Sequence, residues 1–363
     1  MRQKLASVPA LASMVRCFPN MRLSGVFLAL TLTTLAAFGQ SSSAVPAAAP
    51  TALDEARKLA DSGQLDTALQ RLDTLATSRP QTPGLANLRG MIYYEQGKMP
   101  EAANAFAIAV AQNPKDLESM QMEGVSLFRE GKPALAIPLL EQAHATVANT
   151  RVDPDYVLAL CYMDTHRYDA ARRTFSAQYG FLPDSAPAYL LAARMFLRRD
   201  YLPIAEDSAR KALALDPELP LAHLLLGEVA LAAARYDEAI AEFGKEIALN
   251  PAEGLSYERL GDAYIRTGDF ANASVALNKA VLLEPGTSGP FILLGKTLLK
   301  QKNPLMAQVY LERAAKMDPT NYMAHSLLGQ TYRTLGRSDD ANRESQKAEQ
   351  LQTTDTPEPG SPK

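Results

Sequence analysis

Tryptophan is absent from this chain, cysteine occurs twice and histidine four times in 363 residues. So little cysteine excludes a disulfide-stapled framework. Cys17 lies in the N-terminal leader described below, so a processed chain keeps Cys161 alone and must be held by packing. Cys161 stands between Leu160 and Tyr162 and reads as a small buried hydrophobe rather than a reactive thiol. The histidines are His144, His166, His223 and His325; no two share the i, i+4 spacing of a helical metal site, and no cysteine stands at ligand spacing from them. No glycine-rich phosphate loop is present, and no nucleophile–base constellation stands out. The residues therefore give no metal, no cofactor and no enzyme. A formal charge of −3 argues against general nucleic-acid binding.

What the chain does have is a period. Pro183, Pro217, Pro251, Pro285 and Pro319 follow one another at 34-residue steps. In that register nine units begin at Ala49, Pro83, Leu117, Val152, Ala186, Pro220, Gly254, Ser288 and Tyr322, with one extra residue before Val152. Position 8 of the units holds only Gly or Ala (Ala56, Gly90, Gly124, Ala159, Ala193, Gly227, Gly261, Gly295, Gly329), and position 20 only Ala, from Ala68 to Ala341.

Each unit reads as helix, turn, helix. Ala222 to Leu231 carries apolar residues at helical spacing, and a second such run opens at Arg235. Gly63, Gly97, Gly131, Gly268 and Gly336 fall between the two runs, where positive φ ends a helix cheaply. Pro133 and Pro304 suit the first turn of the second helix, and the closing proline stops it. Asp237-Glu238 and Asp339-Asp340 open second helices, where they favour the macrodipole. The small columns are expected where the two helices cross closely, and stacking of units hides what one pair leaves bare. Pro138, inside the second helix of unit three, and the extra residue beyond it suggest a weak junction between units three and four.

At these columns the chain resembles the tetratricopeptide repeat family, whose pattern sets Leu at 7, Gly or Ala at 8, Tyr at 11, Ala at 20, Phe at 24, Ala at 27 and Pro at 32. Residues 254–287 carry Leu260, Gly261, Tyr264, Ala273, Ala280 and Pro285, with Leu277 in place of Phe. The departures are Leu75, Gln178 and Glu246 at position 27, Asp155 at position 4, and Ala148 and Thr353 in place of the closing proline.

The resemblance implies an all-α, right-handed superhelical solenoid of about nine helix-turn-helix repeats over residues 51–352. It also implies that first helices line a groove, with positions 2, 5, 9, 12 and 13 facing into it. Carried over, the candidate contacts are Arg194, Arg198, Leu231, Ile265, Arg266, Lys296, Leu299, Lys300 and Arg333, a basic stripe interrupted by Glu228, Glu258 and Asp262. Such a groove suits protein partners, an acidic extended segment among them, with Arg266 and Lys300 as anchors and Leu231, Ile265 and Leu299 as apolar contacts. His223 and His325, both at position 4, are expected to pack.

The flanks differ in kind. Residues 26–37 are apolar and uncharged after Met21-Arg22, and Ala37-Phe38-Gly39 places small residues before Gln40, the pattern of a secretory signal over residues 1–39. The stretch is short of the about 20 residues of a bilayer span. Two readings of its start remain, Met1 or Met21, and an uncleaved anchor is the alternative to cleavage. Cleavage would remove four cations and no acid, moving the formal charge from −3 to −7. Residues 40–50 read as a Ser/Ala/Pro-rich tether and 353–363 as a disordered tail, while the polar last helix reads as a solvating cap. The function expected is a non-catalytic interaction scaffold of the envelope or periplasm. An accessory role in export or assembly of polysaccharide or outer-membrane components, and a non-catalytic part of an enzyme complex, are the alternatives.

Overall fold

The computed structural model describes residues 51–144 and 154–354. The leader, the tether, the extra residue before Val152 and the tail beyond Thr354 lie outside the described residues. Among those described there are eighteen helices and no strand. They pair as α1 (Ala52–Asp61) with α2 (Leu65–Ser78), α3 (Leu85–Glu95) with α4 (Met99–Gln112), and α5 (Leu117–Arg129) with α6 (Pro133–His144). The middle pairs are α7 (Pro154–Asp164) with α8 (Tyr168–Gln178), α9 (Ala186–Arg198) with α10 (Leu202–Leu215), and α11 (Ala222–Ala232) with α12 (Tyr236–Leu249). The last are α13 (Gly254–Thr267) with α14 (Phe270–Leu283), α15 (Ser288–Lys300) with α16 (Pro304–Met317), and α17 (Tyr322–Thr334) with α18 (Ser338–Thr354). Odd-numbered helices are the first of each repeat and even-numbered ones the second, and each packs on its chain neighbours: an all-α solenoid. No helix among the described residues is long and apolar enough to cross a membrane.

The turn inside each repeat has one conformation. Position 15 takes positive φ in all nine repeats, at Gly63, Gly97, Gly131, Gly268 and Gly336, but also at His166, Asp200, Ala234 and Lys302. The last four adopt it without glycine, so the tight turn is imposed by the packing of the two helices it joins. Second helices α10, α12, α14 and α16 end two residues before Pro217, Pro251, Pro285 and Pro319. Helix α18 extends through Thr354, two residues into the segment expected to be disordered, and with Asp339 and Asp340 in its first turn it is polar almost all round.

The crossing is tighter than a meeting of small with small. A methyl added to Gly227 would stand 2.5 Å from Cδ1 of Phe243, and one added to Gly261 would stand 2.5 Å from Cγ of Leu277. In repeats two, three, six, seven and eight position 8 is Gly because the large residue at position 24 lies on it, while position 20 is itself wholly buried, as at Ala68, Ala239, Ala273 and Ala307. Phe106, Phe175, Phe243, Leu277 and Leu311 are fully buried, one per repeat. Cys161 is fully buried too, and burial pushes its thiol up to about 12, which leaves it inert at neutral pH.

Repeat four is the irregular one. Helix α8 stops at Gln178, and Gly180 turns the chain with φ 72°. Arg172, 4% exposed, ties down the segment that follows: its guanidinium donates to the Pro183 carbonyl, pairs with Asp184 at 2.9 Å and lies 4.2 Å from the Tyr189 ring centroid. Pro138 is accommodated within α6 and faces solvent, and α6 packs on α7. First helices touch from one repeat to the next along the array, except that α7 and α9 barely do. Among the described residues the sparse first-helix junction falls between repeats four and five, while the junction that Pro138 and the extra residue suggested includes residues outside those described.

Candidate functional site: the first-helix face

Because successive first helices touch from α9 onward while second helices stay apart, helices α9, α11, α13, α15 and α17 form a continuous face. Polar side chains stitch first helices to one another. Asn87 Nδ2 donates to Ser119 Oγ at 2.8 Å between α3 and α5, and Arg259 Nε donates to Glu228 Oε1 at 3.2 Å between α13 and α11. At the ends of first helices, Arg199 reaches Asp164 at 2.8 Å.

The candidate residues separate into groups. Arg198 and Lys300 are exposed and Lys296 is half-buried; none of the three has an ion-pair partner among the described residues. Arg194 is half-buried, and its Nη2 is enclosed without a hydrogen-bond partner. Arg266 is held by Asp262 on its own helix at 3.0 Å, which raises the guanidinium's pKa and uses its charge. Arg333 is exposed and donates to Ser345 Oγ at 3.2 Å. Ile265, expected as an apolar contact, is only 9% exposed and belongs to a core with Ala273, Leu277 and Leu294 of the next repeat. Position 12 lies where the following first helix docks, so its side chain is drawn into the stack. Leu231 and Leu299 pack in the same way and stay half-exposed.

The acidic interruption is substantial. Glu258 lies against Gly289, where an added methyl would stand 2.9 Å from its Oε1. Burial pushes the Glu258 carboxyl above its ordinary range; Arg259, 3.7 Å away, opposes this, and Glu284, Asp262 and Glu228 add to it. The face therefore carries cations on α9 and α15 on either side of α11 and α13, where acids and bases pair with one another.

Three polar residues, Glu246, His223 and His325, have buried or bridging partners that the sequence reading did not point to. Glu246 is fully buried, and its carboxylate accepts from the backbone N–H of Leu221 at 2.9 Å and of Leu224 at 3.3 Å. It caps the first turn of α11 from the neighbouring helix, in a column that otherwise favours alanine. His223 and His325 each meet a glutamate nineteen residues on, Glu242 at 2.6 Å and Glu344 at 2.5 Å, so both bridge the two helices of a repeat. His325 Nε2 also lies 3.1 Å from the Pro319 carbonyl oxygen, and the side chain is 3% exposed. The signal was present in retrospect: position 4 His with position 23 Glu recurs in repeats six and nine. Among the described residues no group of three or more His, Cys, Asp or Glu is placed to hold a metal ion.

Profiles described as tetratricopeptide repeat match residues 53–117, 89–154, 190–253 and 224–290 in one form, and 127–195, 290–321 and 310–350 in three others. No curated protein matches the chain significantly. Among solved structures, MamA from Desulfovibrio magneticus RS-1 is 19% identical, covering 48% of this chain and 98% of its own with a TM-score of 0.44. YrrB, described as a TPR protein with an unusual peptide-binding site, is 22% identical over 51% of this chain and 95% of its own, at a TM-score of 0.42. Yeast Tom70 is 13% identical over 83% of this chain and 91% of its own, also at 0.42.

Proposed function

The chain belongs to the tetratricopeptide repeat family, and from that premise we propose that it is a non-catalytic scaffold, exported to the cell envelope, that holds protein partners on its first-helix face. The observation that carries the reading is the placement of Arg198, Lys296 and Lys300 on that continuous face without ion-pair partners. Unpaired cations beside half-exposed Leu231 and Leu299 suit an extended segment with carboxylates at intervals, apolar side chains giving affinity and charge giving register. Arg266 is a weaker anchor than its position suggested, since a partner must displace Asp262 to reach it. The leader at residues 1–39 supports export, which places the partner outside the cytoplasm.

The test uses the full chain and a fluorescent acidic peptide held extended by prolines. Reversing Lys296 and Lys300 together (K296E/K300E) should weaken binding by at least about tenfold and flatten its salt dependence. Unchanged binding after both reversals would refute the site. N-terminal sequencing of protein recovered from an envelope fraction should start near Gln40; a cytosolic chain retaining Met1 or Met21 would refute export.

A further inference from the structure

The second-helix face changes character in repeats seven and eight. Val275 is 71% exposed and Leu282 73% on α14, and Leu305 is 67% and Val309 57% on α16. In the same columns the other repeats carry polar, charged or small residues, such as Asn104, Arg173, Asp207 and Ala241. Residues four and seven apart share a helix face, so Val275, Lys279 and Leu282 form one stripe on α14. Leu305, Val309 and Arg313, four apart in turn, form the matching stripe on α16. Both helices pack on α15, which joins the two repeats that carry the stripes.

Beside the α14 stripe is a recess of about 570 Å³ between α13 and α14, floored by Tyr257, Leu260 and Tyr264 and walled by Val275, Lys279 and Leu282. Helix α14 has no acidic residue, and Lys279 has no ion-pair partner among the described residues. We propose that this face is a second docking surface, separate from the first-helix face, and that its occupant is an amphipathic helix of another protein, with leucine-sized side chains along one stripe and carboxylates on its flanks.

Charge selects this occupant. A second copy would bring the same basic rim, Lys279 and Arg313, to both sides of the interface, which disfavours self-association. An anionic membrane would also meet basic charge, but a flat lipid surface leaves the concave recess beside the stripe unfilled, whereas a helix can insert a side chain into it. Exposed apolar residues grouped on successive second helices and rimmed by polar ones mark an interaction site rather than the ordinary scatter of surface hydrophobics.

The probe is a designed helical peptide with leucines at i, i+3, i+4 and i+7 and glutamates on its flanks, compared with a twin in which lysines replace the glutamates. The full chain should bind the acidic peptide at least about tenfold more tightly than the twin. V275E/L282E should abolish this preference, and K279E should reduce it by about tenfold. Ala214→Glu, two repeats away in the Leu282 column, should leave it intact. Circular dichroism melts check that the variants fold, as expected for changes at exposed sites. Equal binding of the two peptides, or retention of the preference in V275E/L282E, overturns the proposal. So does capture of phosphatidylglycerol vesicles that V275E/L282E abolishes while peptide binding is absent, or a dimer abolished by the same variant.

Discussion

The same substitution at two glycines of repeat six should differ in its effect on stability. Gly227 lies in α11 with the Phe243 ring upon it, an added methyl standing 2.5 Å from Cδ1, while Gly244 lies in α12, exposed, with nothing within 4 Å. Alanine gains helix propensity of about 1 kcal/mol at either site. At Gly227 it must also displace a fully buried aromatic ring, an overpacking cost of about 1–3 kcal/mol. Gly244→Ala should therefore stabilise the array by about 1 kcal/mol. Gly227→Ala should come out about 1–3 kcal/mol less stable than Gly244→Ala, because the propensity gain cancels between them. Urea unfolding of the full chain, followed by far-ultraviolet circular dichroism, reads the difference. A Phe243→Ala background sharpens the test: repeat five already pairs Ala193 with Ala209, so Gly227→Ala should lose its penalty once the ring is gone. Shifts of equal size and sign at the two glycines, or a penalty that survives Phe243→Ala, would refute the account of the crossing.

Other outcomes follow from single sites. Ala234 takes φ 58° in the repeat-six turn, and Ala234→Gly should stabilise by about 0.5–1 kcal/mol in the same urea assay. Glu246→Ala strands the Leu221 and Leu224 N–H groups and should cost about 1–3 kcal/mol, with faster amide exchange in the first turn of α11. Glu258 has a folded-state pKa raised by burial, so above that pKa both states are ionised and the fold bears the cost of the buried charge. As pH falls through the raised pKa the native state takes up a proton before the unfolded state does, and stability recovers. Glu258→Gln should therefore raise the urea midpoint at pH 7–8, with the gain shrinking as pH falls toward the ordinary carboxylate range.

Much of the architecture was legible because a period is a statement about geometry. A column that admits only Gly or Ala must lie at a close approach, and a proline at fixed spacing must end a helix. A period does not say which column meets which across the crossing. Small residues were therefore expected opposite small ones, when Phe243 and Leu277 in fact lie on Gly227 and Gly261. Nor does it show where a tight turn is kept without glycine, as at Ala234 and Lys302, since packing can impose a left-handed residue at modest cost. The candidate groove was less legible still. Charge availability depends on pairs such as Arg259 with Glu228, which span two repeats, and on burial at position 12, which drew Ile265 into the stack.

The departures from the repeat pattern are better read as local solutions than as decay. Glu246 stands where alanine is usual, and the space it takes is occupied by a carboxylate that caps a helix whose entry, at Leu221 with φ 69°, lacks a side-chain cap of its own. Arg172 performs a similar task in repeat four, holding Pro183 and Asp184 where α8 ends early. Both irregular repeats border repeat five, and on the side of repeat four the first helices barely touch. A solenoid's stability is a sum of repeats and of the interfaces between neighbours. An interface with little first-helix contact must be held through the second helix, and α8 packing on α9 is where that occurs. Arg172 stacked on Tyr189 therefore links the two halves of the array as well as closing its own repeat.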